Sequence, residues 1–146
     1  MLLEYLLISL LRRLFSENSS EIVFLSKEKF YKDLVDIITD YLRSNVNQKI
    51  KLSDICKRFN YSRSFICKIF KEQTGESLIT YFNRLKVEEA KRLLCESDMS
   101  AASISEHLGF SEAKYFGVIF KNQVGTSPAA YREKIRKENK EKGIIE

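Results

Sequence analysis

The sequence is poor in the residues on which several classes of protein depend. Its 146 residues include one histidine, one proline, five glycines, three cysteines and no tryptophan. Because His107 is the only histidine, the chain can form no multi-histidine metal site and has no second histidine to act as a catalytic base. No glycine-rich phosphate loop occurs. Cys56, Cys67 and Cys95 are widely spaced and form no CxxC pattern, which indicates a reducing compartment. We therefore expect neither an enzyme nor a protein with a metal or organic cofactor.

The chain also lacks a long hydrophobic run. Its opening stretch, MLLEYLLISLLRRLF, contains Glu4, has no basic residue before its apolar part, and is followed by no small-residue cleavage site. It is shorter than the ~20 residues that a membrane-spanning helix needs. The sequence therefore predicts a cytoplasmic protein with no membrane partner.

The net charge of +5 is modest, so its distribution matters more than its size. Residues 49–92 carry eleven basic and five acidic groups, whereas residues 98–134 carry four of each. A basic block of this kind usually marks a solvated helix face. The alternative is a surface that binds a polyanion. The sequence motif within the block distinguishes these two interpretations.

Apolar periodicity predicts two helices before this block. The first is amphipathic, with four leucines at helical spacing: Leu3, Leu7, Leu10 and Leu14. Residues 16–20, SENSS, predict a loop, and residues 21–25, EIVFL, predict a short strand or an extended linker. A second amphipathic helix is predicted over residues 27–45 from a set of apolar residues three and four apart: Phe30, Leu34, Ile37, Ile38, Tyr41 and Leu42.

The rest of the chain contains one unit twice. ICKRFNYSRSFICKIFKEQTGESLITY begins at Ile55, and ISEHLGFSEAKYFGVIFKNQVGTSPAAY begins at Ile104. The copies match at a separation of 49 residues up to the serines Ser62 and Ser111, and of 50 residues after them, because the second copy has one extra residue there. An internal repeat of about 50 residues indicates one supersecondary unit used twice.

Each copy predicts the same succession of helices. The first helix ends at a residue that tolerates the left-handed conformation, a serine caps the second helix, a glycine ends it, and another serine caps a third. In the order of these roles, the residues are Asn60, Ser62, Gly75 and Ser77 in the first copy and Gly109, Ser111, Gly125 and Ser127 in the second. Pro128 stands in the first turn of the last helix, where its missing N–H costs nothing.

Two helices joined by such a turn form a helix-turn-helix. We predict an all-α fold of two helix-turn-helix subdomains joined by a long linker helix and preceded by an N-terminal amphipathic helix. Residues 1–26 form the N-terminal helix and linker, and residues 27–146 form the main domain. Its parts are a first unit over about 50–76, the linker helix over about 78–96, a second unit over about 100–126, and a final helix over 128–137.

This arrangement suits duplex DNA. A 19-residue linker helix is ~28 Å long, and successive turns of the major groove on one face of the duplex are ~34 Å apart. The second helices of the two units can therefore enter adjacent major grooves. A helical bundle or a protein-binding module of the same fold is the alternative.

The second copy and the linker carry a resemblance. ISEHLGFSEAKYFGVIFKNQVGTSPAAYR resembles the signature of the AraC/XylS family of bacterial transcription regulators, and YFNRLKVEEAKRLL is similar to the family's linker segment. The resemblance covers about Tyr31 to Arg136. It implies a cytoplasmic, nucleoid-associated regulator of transcription that binds double-stranded DNA, usually an activator that contacts RNA polymerase.

Many members of that family carry a sensor barrel domain ahead of the DNA-binding domain. The sensor domain ends in helices that pair subunits. Residues 1–26 resemble the remnant of such a domain, which implies a homodimer formed through residues 1–15. The alternative is that residues 1–15 pack on the chain's own domain.

The resemblance places the base-reading positions of the first unit on four residues: Arg63, Ser64, Cys67 and Lys68. Apolar spacing agrees, because it assigns the buried face of this helix to other residues: Phe65, Ile66, Ile69 and Phe70. Basic residues expected at DNA phosphates are Lys51, Lys57, Arg58 and Lys71 in the first unit and Lys121 in the second.

The second unit departs from the family pattern. Its base-reading positions fall on Ala113, Lys114, Gly117 and Val118, where the family usually has Ser-Arg at the last two. We expect this helix to contribute less specific binding energy than the first, while its own apolar face is Tyr115, Phe116, Ile119 and Phe120. Because the second helix is expected to contribute little binding energy, an antiactivator of the same fold that has lost DNA binding remains the alternative function. The family's arginine in the linker helix is here Lys86, which we expect to keep the charge.

Overall fold

The computed structural model describes residues 2–14 and 19–144, and all the regular structure in these two ranges is helical. The helices are α1 (Leu2–Leu14), α2 (Ser19–Ser44), α3 (Leu52–Phe59), α4 (Arg63–Thr74), α5 (Leu78–Glu96), α6 (Ala101–His107), α7 (Ala113–Val124) and α8 (Pro128–Glu141). The predicted all-α fold is confirmed. None of the described helices is long and apolar enough to cross a membrane.

Helix α2 is longer than the sequence predicts. The stretch EIVFL, expected as a strand or an extended linker, is helical, and so are Ser19 and Ser20 of the expected loop. The other residues of the expected loop, 16–18, lie outside the described residues. No glycine or proline interrupts the chain between Ser19 and Ser44, so nothing stops the helix from extending towards the N-terminus.

The turns of the two repeat units form as predicted. Left-handed backbone occurs at Asn60 (φ 57°), Gly75 (φ 81°), Gly109 (φ 67°) and Gly125 (φ 90°). Three of the expected serine caps accept a backbone N–H: Ser62 from Phe65 at 3.2 Å, Ser77 from Thr80 at 3.1 Å and Ser127 from Ala130 at 3.2 Å. The linker helix α5 has the bounds expected for it, Leu78–Glu96.

The fourth cap and the last helix differ from the prediction. Helix α7 begins at Ala113, and its N-cap is Glu112, whose side chain makes no capping hydrogen bond. Ser111 therefore does not cap this helix, because the extra residue of the second copy moves the helix start one position along the chain. Helix α8 continues to Glu141, past the expected end at residue 137.

The helix-turn-helix units have separate cores that meet along α5. In the first, α5 contributes Leu78, Tyr81 and Phe82, which pack with buried residues of α2, α3 and α4. In the second, it contributes Val87, Ala90, Leu93 and Leu94, which pack with residues of α6, α7 and the turn between them. One helix thus forms part of both cores and connects the two units.

Three apolar residues expected inside the protein lie at its surface. Phe30 and Ile37 of α2 are 46% and 57% exposed, because only one stripe of that helix faces α4 and α5. Tyr115 of α7 is 44% exposed, whereas its neighbours Phe116 and Phe120 are buried.

Candidate DNA-binding surface

Helix α4 presents a polar face to solvent. Arg63, Ser64 and Lys68 are exposed, and the opposite face is buried through Ile66, Ile69 and Phe70. Cys67, expected on the outer face, is only partly exposed. The four base-reading candidates therefore share one helix, with three of them fully available to a ligand.

The charged groups of α4 are free to change partners. Lys68 Nζ lies 4.0 Å from Glu72 Oε1, and the Lys68 side chain is 72% exposed. An exposed pair of this kind is worth only about 0–1 kcal/mol, so Lys68 can leave Glu72 at little cost. Lys71 is exposed one turn further along.

Basic groups on and beside α3 extend this surface. Lys51, Lys57 and Arg58 are all exposed. The Arg58 guanidinium lies over the Tyr41 ring of α2, 4.3 Å from its centre, which restricts its position without covering its N–H groups. Lys51 immediately precedes α3, and its backbone N–H donates to Asp54 Oδ2 at 2.8 Å. Phosphate candidates of the first unit thus lie on both sides of the turn before α4.

Helix α7 presents a face of different chemistry. Ala113, Lys114, Val118 and Lys121 are exposed, and Gly117 is half-buried. A Cβ atom on Gly117 would meet no atom within 4 Å, so packing does not require a glycine there. This face is therefore weakly polar because of the residues that the sequence places there, and not because a close contact requires a small residue at position 117.

A contact between α5 and α7 was not evident in the sequence. Asn83 Nδ2 donates to the Tyr115 hydroxyl at 3.4 Å at the surface of the protein. Arg132 of α8 makes a second unforeseen contact, since its Nε donates to the carbonyl oxygen of Leu94 at 3.1 Å and its Nη2 donates to that of Met99. The only feature of the sequence that points to the contacts of Arg132 is that Arg132 follows Tyr131 in the family motif.

Lys86 of α5 is buried, at 4% exposure. Its Nζ donates to the carbonyl oxygen of Gln48 at 3.1 Å and lies 4.5 Å and 5.2 Å from the ring centres of Phe82 and Phe110. Burial lowers the pKa of Lys86 to about 8. The amine is therefore mostly charged at neutral pH, as expected from the sequence, but it lies inside the protein.

Comparison with known proteins adds to this geometry. A family model described as a helix-turn-helix domain matches residues 55–134. Regulatory protein PocR of Salmonella typhimurium is 34% identical over 95 residues, which cover 65% of this chain and 31% of that protein. The raffinose operon transcriptional regulatory protein RafR of Pediococcus pentosaceus is 30% identical over 139 residues, which cover 90% of this chain and 48% of that protein. The chain thus spans from 31% to 48% of the length of these two curated relatives.

A solved structure shares the arrangement of helices. The DNA-binding domain of AdpA, a global transcriptional factor, in complex with a target DNA superposes with a TM-score of 0.67 at 25% identity. The match covers 71% of this chain and 94% of that domain. Two helix-turn-helix units on one linker helix, the matched family model and these relatives establish that the chain belongs to the AraC/XylS family of helix-turn-helix proteins.

Proposed function

We propose that this chain binds double-stranded DNA by placing α4 and α7 in adjacent major grooves, and that it regulates transcription from the bound site. The observation that carries the proposal is the pair of recognition helices, each exposed on one face and held by its own core along a shared α5. The excess of six basic groups over residues 49–92 supplies the attraction to phosphate.

Helix α4 reads most of the sequence in this proposal. Arg63 and Lys68 donate to guanine O6 and N7, and Ser64 pairs with more than one base edge. Cys67 contacts a thymine methyl group, which fits its partial burial at the edge of the exposed face. These roles are complementary in chemistry to the groups that the major groove presents.

Phosphate contacts come from five further basic residues: Lys51, Lys57, Arg58, Lys71 and Lys121. All five are exposed. A lysine or arginine that neutralises a phosphate releases a condensed counterion and so makes affinity depend on salt. These contacts orient the protein on the duplex but carry no base specificity.

Helix α7 contributes less to specificity. Its candidates are Ala113, Lys114, Gly117 and Val118, of which only Lys114 can donate a hydrogen bond to a base. Val118, 51% exposed, offers apolar contact alone. The same exposed apolar character favours the second candidate function, a protein-interaction module or antiactivator that keeps the fold without binding DNA.

A salt titration distinguishes the two functions. With five phosphate contacts, the slope of log K against log salt concentration on duplex DNA is expected to be about −4 to −5. Lys57→Ala should reduce the magnitude of the slope by about 1. Lys134→Ala, which removes an exposed lysine of α8 outside the proposed surface, is the matched control and should leave the slope unchanged. A flat slope for the parent protein would refute DNA binding and support the interaction module.

Regulation is proposed to be activation in the cytoplasm, through contact with RNA polymerase at the nucleoid. A promoter carrying the selected site upstream of a reporter tests this in a purified transcription system. Transcript levels should rise with added protein, whereas a fall would indicate repression and no effect would remove the polymerase contact from the proposal.

The chain is further proposed to pair with a second copy through α1. Ten apolar side chains of α1 and the start of α2 are each at least 39% exposed: Leu2, Leu3, Tyr5, Leu6, Leu7, Ile8, Leu10, Ile22, Phe24 and Leu25. Burying such a side chain removes on the order of 60–100 Å² from water, so together they reach the ~800 Å² per partner of a stable interface. Exposed apolar side chains in this number are typical of an interaction surface, which favours pairing over the alternative that residues 1–15 pack on the chain's own domain.

Molecular mass measured against concentration tests the pairing. The parent chain should approach twice the monomer mass as concentration rises, and Leu3→Glu with Leu7→Glu should remain monomeric. Glu4→Gln on the same helix is the control. A monomer at every concentration, with or without these changes, would refute the dimer.

A further inference from the structure

The two helix-turn-helix units meet at a small polar seam between their cores. We define the seam as Gln48 and Lys49 of the connection between α2 and α3, Lys86 of α5, and Gly109 and Phe110 of the second unit. On α5 it lies between Phe82, the last buried residue of the first core, and Val87, the first of the second core. No buried residue belongs to both cores among the described residues, so the seam and α5 determine how the units sit relative to each other.

Gly109 brings the two backbones into close approach. A Cβ atom on this residue would lie 2.7 Å from the Lys49 backbone N and 2.8 Å from the Gln48 carbonyl carbon. Both neighbours are backbone atoms, which cannot rotate away as a side chain can. Any side chain at position 109 must therefore push the second unit away from the first, by several tenths of an ångström at least.

The internal repeat separates this requirement from that of backbone conformation. Asn60 occupies the equivalent turn of the first unit with φ 57°, close to the φ of 67° at Gly109. Asparagine therefore suffices for the left-handed turn in this fold. Glycine is needed at position 109 because of the approach of Gln48 and Lys49, and not because of φ alone.

Lys86 contacts both sides of the seam. Its amine donates to the Gln48 carbonyl oxygen of the α2–α3 connection, on the side of the first unit, and lies near the Phe110 ring of the second unit. It forms no ion pair within 4.0 Å among the residues that the structure describes. A buried amine is stabilised by these contacts only while the carbonyl and the ring stay in place, so it favours one relative placement of the units.

We propose that Gly109 and Lys86 are positioning residues that set the separation of the recognition helices α4 and α7 before DNA is bound. The consequence of this placement rests on the proposed function: if the chain binds DNA, both helices can enter adjacent grooves without a prior rearrangement of the two units. Preorganisation of two linked binding modules raises their joint affinity without any new contact. The seam residues themselves need not touch DNA.

A distance measurement without DNA tests the placement itself. Spin labels are attached to cysteines introduced at the exposed positions Glu72 of α4 and Asn122 of α7, in a background with Cys56, Cys67 and Cys95 replaced by alanine. Dipolar spectroscopy then gives the distribution of distances between the labels. The parent should give one narrow distribution.

Four variants make the measurement specific. Gly109→Asn keeps a residue that tolerates the left-handed turn but adds the colliding Cβ, and its matched control is Asn60→Gly in the other turn. Lys86→Met keeps the length of the side chain but removes the amine, and its control is Lys91→Met, which removes an α5 lysine paired with Glu88 at 3.0 Å outside the seam. The two seam variants should shift or broaden the distribution, and the two controls should leave it unchanged.

DNA binding supplies the second measurement. The probes are a duplex of about 24 base pairs recovered by selection with the parent protein, and a duplex of about half that length containing the α4 site alone. On the long duplex the seam variants should lose about tenfold or more in affinity, while on the short duplex they should stay within about twofold of the parent. General destabilisation would lower affinity for both duplexes alike.

The outcomes separate the two proposals. Unchanged distance distributions in both seam variants would overturn the positioning role, and so would equal losses on the two duplexes. If Gly109→Asn does not fold, Lys86→Met alone decides. If the parent binds neither duplex while its distance distribution is narrow and the seam variants broaden it, the proposed DNA binding fails and the seam still positions the helices.

Discussion

Lys86→Met is expected to change how the free energy of unfolding depends on pH. Burial lowers the pKa of the Lys86 amine to about 8 in the folded protein, from its ordinary value of 10.5. Below pH 8 the amine carries its proton in both states, so it adds no pH dependence. Between pH 8 and 10.5 the folded state gives up the proton first, and the unfolded state binds more protons. The contribution of Lys86 to the free energy of unfolding therefore rises with pH between about pH 8 and pH 10.5.

The size of the change follows from the pKa difference. One pKa unit corresponds to about 1.4 kcal/mol, so at pH 10 most of the shift is expressed. The parent protein should gain about 2.5 kcal/mol relative to Lys86→Met between pH 7 and pH 10. Methionine has no proton to release, which leaves the variant without this contribution.

Urea unfolding of both proteins at a series of pH values measures the difference directly. Other groups titrate in the same range, but they do so in both proteins and cancel in the comparison. Lys91→Met serves as the control, since it removes an α5 lysine that is paired with Glu88 near the surface and lies outside the seam. A difference for Lys86→Met that does not change with pH, that changes with the opposite sign, or that matches the difference for Lys91→Met would refute the burial of a charged amine at the seam.

Other substitutions test the recognition helices and their caps. Lys68→Ala should weaken binding to the selected site by about 1–3 kcal/mol and relax preference at one base step, whereas an equal loss on random DNA would contradict base reading. Val118→Ala should cost much less in the same competition assay, and a loss as large as that of Lys68→Ala would show that α7 reads equally. Ser62→Ala should lower the free energy of unfolding by about 1 kcal/mol. Ser111→Ala should change it by a few tenths at most, because Ser111 caps no helix; similar losses for the two serines would contradict the observed caps.

Local chemistry let the sequence predict most of the helices. Ser62, Ser77 and Ser127 were identified as caps, and they act as caps, because a serine oxygen satisfies amides within its own first turn. Gly75 and Gly125 end their helices because a left-handed residue ends a helix whatever surrounds it. The internal repeat strengthened each of these predictions, since the same pattern had to work twice.

Predictions that depended on more distant parts of the chain were less successful. EIVFL looked extended because β-branched and aromatic residues favour strands, but it continues a helix that begins at Ser19. Tyr115 has the spacing of a core residue, yet its hydroxyl bonds Asn83 of another helix and it remains exposed. The candidate base-reading and phosphate residues of the surface were named from spacing and resemblance, and their roles remain predictions.

The sequence by itself determined most of the helices, the turns within the two repeat units and the exposed faces of α4 and α7, because these depend on residues within a few positions of one another. The tertiary structure alone decided how the two units meet. Gly109 lies 60 residues from Lys49 in the chain, and only folding brings its Cα against that backbone. Lys86 was identified in the sequence as the replacement for the family's arginine in the linker helix, and its burial between two cores became evident only when α5 was seen to belong to both.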